Sequence, residues 1–224
     1  MTLRIGSIAL RQHRQENFEK RTRQLTRMAA DILVIAGFRT GMDGMQLRAT
    51  LDRLGLVYQT PCDTEPHETA LILAARCPFL QIDLPPAIAH HGRNCLHVGI
   101  ADFRLIACDL MGATDPSSLN TFLFNQAEDL LRDKALVFSR PAGAAGQPPQ
   151  GPAAELRPVL MGLGYLDAFQ LAPRRQVVDM PGEGPAFSVV TTPALAPQLS
   201  DCFQADDGTK VSRHAWETAV LRVG

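Results

Sequence analysis

The chain has 224 residues, of which 46% are hydrophobic and 20% charged, and its formal net charge is -1 at pH 7. This length and composition are typical of one globular domain, residues 1–224, whose core needs no disulfide or metal. The near-neutral charge excludes a global electrostatic attraction to nucleic acid or membranes. No segment approaches the roughly 18 apolar residues of a membrane span. The five cysteines contain no CxxC pair, which argues against a disulfide framework and a zinc site, and we expect reduced thiols and a cytoplasmic location.

The first half of the chain alternates strands and helices. The hydrophobic pattern predicts a strand at 3–10, a helix at 15–29, a buried strand at 31–37 and a helix at 45–54 that ends at Gly55. A region rich in strands follows, with segments predicted at 56–59, 69–75, 95–100 and 103–109. The last two are separated by Ala101 and Asp102, which indicates a tight hairpin.

The second half begins with a predicted helix at 119–133 and a buried strand at 135–138. Residues 141–155, PAGAAGQPPQGPAAE, predict a Pro/Gly-rich surface loop. A short helix at 156–163 precedes strands at 187–191, 199–203 and 215–223. This order favours an α/β protein in which two sheets pack together with helices outside, over a single doubly wound parallel sheet.

Several short sequence motifs follow one another along nearly the whole chain. They are Ile5 to Leu10, Asp31 to Gly37, Gly164-Tyr165-Leu166-Asp167-Ala168-Phe169, Val189 to Leu195, and Ser212-Arg213-His214 before the last strand. Together they resemble the endonuclease/exonuclease/phosphatase superfamily, the metal-dependent phosphodiester hydrolases related to exonuclease III and DNase I. The resemblance implies a four-layer α/β/β/α sandwich of two packed mixed sheets with outer helices.

The departures from this family fall on the positions that carry its chemistry. Where the resemblance implies an Asn and a Glu that hold phosphate and magnesium, this chain has Ala9 and Gly37. The slot of the family's G-D-F-N turn reads Ser139-Arg140-Pro141-Ala142, and two further Asp slots fall near Phe187 and at Arg213. Of the family's catalytic set, His214 persists. Because magnesium requires carboxylate oxygens, we expect a catalytically degenerate pseudoenzyme with no metal, no cofactor and a vestigial His214.

Such a protein acts by binding, as a structural or regulatory protein with a protein partner or as an oligomer. Arg140, Arg213 and His214 are a candidate anion-binding set for a phosphate-containing ligand, since guanidinium groups suit phosphate, although loop arginines are usually only solvated. The alternative is a phosphodiesterase, nuclease or phosphatase that uses Mg or Mn with relocated ligands, Asp109 at the family's Tyr slot or Asp167. A weaker alternative is nucleic-acid binding without cleavage through basic residues of the first helix and the segment before it, although a solvated helix face is favoured. These residues are Arg11, Arg14, Lys20, Arg21, Arg23 and Arg27.

Two further groups contain residue types that bind metals. His90 and His91 are adjacent, and neighbouring residues on a strand point to opposite faces, so a surface loop is favoured over a cluster with His97. The acidic stretch of Asp63, Glu65, His67 and Glu68 lies between Pro61 and the next strand, and its spacing is not diagnostic of a metal site.

Overall fold

The computed structural model describes residues 2–10, 18–62, 65, 68–86, 89, 92–110, 121–122, 125–126, 129–140, 156–172, 175–176, 188–205 and 216–222. The predicted loop at 141–155 therefore lies outside the described residues. In the part of the chain that is described, no helix has the length and apolar character needed to cross a membrane.

The described strands and helices follow the predicted order. The strands are β1 (Thr2–Ala9), β2 (Ile32–Phe38), β3 (Tyr58–Gln59), β4 (Ala70–Ala75), β5 (Leu80–Gln81), β6 (Cys95–Ile100), β7 (Phe103–Asp109), β8 (Ala135–Arg140), β9 (Leu166–Asp167), β10 (Arg175–Gln176), β11 (Ser188–Thr191), β12 (Leu199–Ala205) and β13 (Trp216–Arg222). The helices are α1 (Phe18–Met28), α2 (Met42–Arg53), α3 (Leu156–Gly162) and α4 (Ala168–Leu171), with a 3-10 turn at Ala196–Gln198. Residues 121–122, 125–126 and 129–130 are also helical, within the segment predicted as a helix.

The strands form two mixed sheets. Sheet A has the order β10-β12-β13-β1-β2-β4-β3, and sheet B has the order β5-β6-β7-β8-β11-β9. β1 runs parallel to β2, and β7 runs parallel to β8, whereas β1 and β13, β2 and β4, and β6 and β7 are antiparallel. The sheets pack face to face around one buried cluster that includes Ile5, Val34 and Leu73 from sheet A and Leu105 and Phe138 from sheet B.

Each sheet is covered by helices on its other face. Leu25, Met28, Leu47 and Leu51 of α1 and α2 pack in one cluster with Leu33 and Ile35 of β2. Leu160 of α3, with Phe122 and Leu130, packs on sheet B beside Ile106 and Val137. A strand buried on both faces must be apolar at every position, which explains the unbroken hydrophobic run of β2. Two packed mixed sheets with outer helices confirm the predicted sandwich.

The differences from the predicted elements are mostly at element ends. Helix α2 begins at Met42, three residues before the predicted start, after Gly41 with a φ of 104°. The strands β5, β9 and β10, which have two residues each, were not predicted because two residues are too short to show an alternating pattern. Residues 141–155, 187 and 206–215 lie outside the described residues.

The ends of four strands meet at one end of the sandwich. Phe38 at the end of β2 pairs with Ala70 at the start of β4, and Cys108 near the end of β7 pairs with Cys95 at the start of β6. The backbone N–H of Leu71 donates to the carbonyl of Arg93 at 2.7 Å, which links the start of β4 to the segment that enters β6. The carboxyl ends of β1, β2, β7 and β8 therefore lie at this end, which we call the joined end.

Candidate functional site

Three polar side chains form a row across sheet B at the joined end. Asp109 ends β7 and is the register partner of Arg140, which ends the parallel strand β8. On its other side, the N–H of Asp109 donates to the carbonyl of Asn94 at 2.8 Å. Side chains alternate along a strand, and Cys95 and Cys108 belong to the outer cluster, so Asn94, Asp109 and Arg140 face the inner side between the sheets. We call these three residues the polar row.

Asp109 and Arg140 form an ion pair within the row. Nη1 of Arg140 lies 3.4 Å from Oδ2 of Asp109, and the two side chains are only 15% and 3% exposed. A charge at this depth is costly unless an opposite charge accompanies it. Each residue therefore compensates the charge of the other, and the sequence pattern that suggested them separately did not predict the pair.

Asn94 is the third member of the row and is 1% exposed. Its Oδ1 has no hydrogen-bond donor among the described atoms. A buried acceptor without a donor costs free energy, so a hydrogen-bond donor that reached Oδ1 of Asn94 would stabilise the row. No feature of the sequence pointed to Asn94, because a single Asn before a strand is common in loops.

The facing strands of sheet A contribute small residues at the joined end. Ala9 and Ala36 are register partners at the ends of β1 and β2, and both are buried in the inner cluster. The next residue, Gly37, has a φ of 77°, a conformation that side-chain-bearing residues rarely adopt. A Cβ at this position would lie 2.7 Å from the carbonyl oxygen of Leu10. Position 37 therefore cannot accommodate a side chain unless the backbone moves.

A bulge in β2 produces this conformation. Ile35 pairs with Ile72, but the next pair is Phe38 with Ala70, so β2 carries one residue more than β4 over this step. An extra residue with a left-handed conformation is the usual place for glycine in a bulged strand. The glycine is thus required by the local backbone.

Asp167, the second carboxylate considered as a relocated ligand, has a structural role. Its Oδ1 accepts a hydrogen bond from the N–H of Phe169 at 2.8 Å, which caps α4, and its Oδ2 pairs with Arg157 of α3. Its register partner Val190 belongs to the outer cluster of sheet B. Asp109 and Asp167 therefore lie on opposite faces of the sheet and do not share a site.

A second row lies on the outer face of sheet B, directly behind the polar row. The Sγ atoms of Cys95 and Cys108 are 3.3 Å apart, and Oγ of Ser139 lies 2.6 Å from Oγ of Ser188. Burial raises the pKa of Cys108 well above its usual value, and the neighbouring Cys95 raises it further. The sequence contained a signal for the cysteine contact, since both residues are equally far from the predicted turn at Ala101 and Asp102.

His97 also lies on this outer face, opposite Ile106. Burial lowers its pKa to about 4, with a further contribution from the positive charge of Arg104, so the ring is neutral at pH 7. His90 and His91 lie outside the described residues, so their placement in a surface loop, rather than in a cluster with His97, stays a prediction. In the acidic stretch, Glu68 pairs with Arg93, whereas residues 63 and 67 are also outside the described part.

The remaining predicted site residues have different outcomes. Arg213 and His214 lie outside the described residues, so their association with Arg140 stays a prediction, and so does the vestigial role of His214. On α1, Arg23 and Arg27 are exposed, while the side chains of Lys20 and Arg21 are not described.

No family model and no curated protein matches the chain. Solved structures do match it. An AP endonuclease from Archaeoglobus fulgidus superposes with a TM-score of 0.74 at 14% identity, covering 99% of this chain and 100% of the other. The 3' phosphatase NExo from Neisseria, bound to a product DNA hairpin, gives 0.72 at 15% identity with coverages of 99% and 100%. The 3'-5' exonuclease NExo from Neisseria meningitidis gives 0.70 at 15% identity with coverages of 97% and 98%.

The chain has the DNase I-like fold. The likeness covers nearly the full length of both chains and includes both sheets. At this level of identity it establishes the architecture of the DNase I-like fold, and the chemistry must be argued from the residues at the joined end.

The residues that the structure describes at the joined end do not fit the magnesium ion that the resemblance implies. Ala9 and Gly37 offer no ligand atoms, and Arg140 places a cation beside the carboxylate of Asp109. Magnesium requires near-octahedral oxygen coordination, usually with one or two carboxylates besides phosphate and water. Among the residues that the structure describes, no group of three or more His, Cys, Asp or Glu side chains could hold a metal ion.

Proposed function

We propose that this chain is a non-catalytic binding protein on the DNase I-like fold, acting as a structural or regulatory protein. The observation that carries the proposal is the backbone at Gly37, whose left-handed conformation and 2.7 Å approach to Leu10 leave no room for a side chain. The resemblance implies a metal-binding Glu at this position. Glycine in place of this Glu is therefore accompanied by a left-handed backbone conformation, which a glutamate could adopt only with strain.

The ion pair in the polar row supports the same proposal. Arg140 stands where the resemblance implies an Asp, and its charge is compensated by Asp109. A divalent ion placed about 4 Å from a guanidinium would meet a repulsion of roughly 8 kcal/mol at an effective dielectric constant of about 20, twice the value for two unit charges. Asp109 would also have to leave Arg140 in order to bind the ion.

The test combines metal binding with activity. We expect no heat of binding in calorimetric titrations with MgCl2 or MnCl2 up to millimolar concentration. We also expect no metal-dependent hydrolysis of bis(p-nitrophenyl) phosphate, of DNA containing an abasic site, or of a 3'-phosphorylated DNA hairpin. Metal-dependent hydrolysis that co-purifies with the chain and disappears in the Asp109→Asn or His214→Ala variant would refute the proposal.

The competing proposal is a metal-dependent phosphoric ester hydrolase with relocated ligands. The names of the structural neighbours, an AP endonuclease, a 3' phosphatase and a 3'-5' exonuclease, favour it. So does the position of Asp109, a buried carboxylate on the inner face at the joined end. The two proposals differ in one measurement, because a hydrolase of this kind must bind Mg or Mn through Asp109, and Asp109→Asn must weaken that binding.

For the ligand, we propose an anionic group bound by Arg140 together with Arg213 and His214. Arg140 is 15% exposed, and its side chain makes a single contact of 3.4 Å within the described residues, so its other N–H groups can serve a ligand. We expect titration with inorganic phosphate to show binding that Arg140→Gln and Arg213→Gln weaken at least tenfold. Phosphate affinity in either variant equal to that of the unsubstituted protein would reject this set.

A protein partner or self-association is the second part of the binding proposal. Tyr58 and Leu80 are exposed apolar residues on β3 and β5, which are edge strands of the two sheets. Exposed apolar edge strands can pair with another chain. Light scattering coupled to size-exclusion chromatography tests self-association, and the Leu80→Lys substitution should reduce it.

Nucleic-acid binding through Arg23 and Arg27 is tested by affinity for a DNA duplex that falls steeply as salt is added.

A further inference from the structure

Cys95 and Cys108 face each other across the hairpin formed by β6 and β7. They are direct register partners, and their Sγ atoms are 3.3 Å apart. Both side chains are buried, and neither takes part in a disulfide. Of the other three cysteines, Cys62 and Cys77 are half-buried, and Cys202 is buried in β12 of sheet A.

The backbone register places this pair at a site that can accommodate a disulfide. The N–H of Asp109 donates to the carbonyl of Asn94, so Asn94 and Asp109 are a hydrogen-bonded pair of the antiparallel ladder. The next pair along the ladder, Cys95 and Cys108, is therefore of the non-hydrogen-bonded kind. Such pairs have Cα atoms about 4.5 Å apart, within the range of about 4.4 to 6.8 Å found for disulfides. The thiols can be joined without a change of strand register.

We propose that Cys95 and Cys108 are a reversible oxidation site that forms a cross-strand disulfide with hydrogen peroxide as the oxidant. One thiolate attacks a peroxide oxygen, the O–O bond breaks, and a sulfenic acid and water are formed. The second thiol then attacks the sulfenic sulfur, the S–S bond forms, and a second water leaves with the remaining protons. Overall, two thiols and one peroxide give one disulfide and two waters, and a dithiol reductant reverses the reaction.

The oxidation state of this pair bears directly on the polar row. Asn94 and Asp109 immediately adjoin the two cysteines in sequence and point to the opposite face of the same two strands. A covalent bond between the cysteines fixes the separation of the strands that carry Asn94 and Asp109. Oxidation of Cys95 and Cys108 can therefore alter the ion pair between Asp109 and Arg140, and this effect does not depend on which ligand the polar row binds.

Burial sets the rate of the reaction. Cys95 and Cys108 are both almost fully buried, and only a deprotonated, accessible thiol attacks peroxide readily. Oxidation therefore requires a transient opening of the hairpin. We expect it to be slow in buffer and faster in urea well below the unfolding transition, where local openings are more frequent.

The experiment uses the full chain with Cys62→Ser and Cys77→Ser, which remove the two half-buried thiols as competing targets. After treatment of the folded protein with hydrogen peroxide, we expect intact mass spectrometry to show the loss of two hydrogens per chain and dithiothreitol to restore them. Trypsin cleavage after Arg93 and Arg104 places Cys95 and Cys108 in different peptides. A peptide pair joined only before reduction then identifies the bond. The melting temperature should rise by several degrees on oxidation.

Matched variants separate this pair from the remaining thiol. In the same background, Cys202→Ala removes a buried cysteine outside the pair and should leave the cross-link intact, whereas Cys108→Ala should abolish it. If Cys108→Ala does not fold, the peptide map of the parent protein still decides the question. The proposal is overturned if the cross-linked peptides contain Cys202, if the folded protein gains oxygen at the cysteines without cross-linking, or if the bond forms only in fully denatured protein.

Discussion

The carboxylate of Asp109 and the guanidinium of Arg140 meet at 3.4 Å across two parallel strands, at the joined end of the two sheets. The two residues sit at adjacent strand ends, and the resemblance implies a Tyr and an Asp at these positions. The ion pair neutralises the carboxylate of Asp109 at strand ends where the resemblance implies part of a metal-dependent active site. Most of its consequences can be measured without knowing the ligand.

Asp109→Asn leaves Arg140 as a mostly buried cation without its counterion. We expect a loss of about 2 to 3 kcal/mol in the free energy of unfolding, measured by urea denaturation, because the desolvation cost of the guanidinium is no longer offset. Asp102→Asn is the matched control. It removes the exposed ion pair with Lys134 and should cost less than about 1 kcal/mol. Equal losses in the two variants would show that the polar row has no special electrostatic role.

Gly37→Glu supplies the side chain that the resemblance implies, but the local backbone opposes it. The positive φ and the contact with Leu10 lead us to expect a destabilisation of about 3 kcal/mol and no gain in magnesium binding. Gly162→Ala in α3 is the control, because a Cβ there meets no atom within 4 Å, and its effect should stay below about 1 kcal/mol. A stable Gly37→Glu variant that binds magnesium in calorimetry would show that the bulge can be remodelled easily.

His97 predicts a specific pH dependence of stability. Its folded-state pKa of about 4 lies below the unfolded value of 6.5, so between these values the unfolded state binds a proton that the folded state does not. The contribution of His97 is fully present above pH 6.5 and is lost as the pH falls towards 4, by about 2 to 3 kcal/mol. In His97→Gln the stability difference between pH 7 and pH 4.5 should shrink by this amount. An unchanged slope would mean that the pKa of His97 is the same in the folded and unfolded states.

Two substitutions of Asp167 distinguish its role as an N-cap from its ion pair with Arg157. Asp167→Asn keeps an N-cap oxygen for Phe169 but loses the charge partner of Arg157, whereas Asp167→Ala loses both interactions. We expect the alanine variant to be less stable than the asparagine variant by about 1 kcal/mol, the usual value of an N-cap. Chemical denaturation measures the difference. Neither variant should alter phosphate binding, because Asp167 lies on the outer face, and a change would place it in the binding site after all.

The fold was largely predictable from the sequence because its strands are long enough to be read as apolar runs. β2 and β7 are buried on both faces, and their hydrophobic runs matched the observed strands to within about two residues. The turn at Ala101 and Asp102 fixed the register of the hairpin between β6 and β7. The two-residue strands β5, β9 and β10 were missed, because the position of so short a strand depends on the neighbouring strand it pairs with and hardly on its own composition.

The candidate site was predictable only in part. The sequence identified Gly37, Asp109 and Arg140 as departures from the family, since each replaces a residue of known type at a recognisable position. It did not predict that Asp109 and Arg140 compensate each other, because that depends on strand register and burial. Asn94 was missed for the same reason, as an amide becomes unusual only when its surroundings exclude water.

The bulge at Gly37 also bears on how this chain can change through mutation. A single base change can convert a glycine codon to one for glutamate, but such a change leaves the extra residue of β2 in place. Removing that residue requires a deletion, and a deletion in a strand turns the residues beyond it to the other face. Phe38, which packs with Leu47 and Leu51 of α2, would turn towards the inner core. A chain with a glutamate in a regular β2 at this position therefore requires a deletion and a repacking of Phe38, besides the substitution of Gly37.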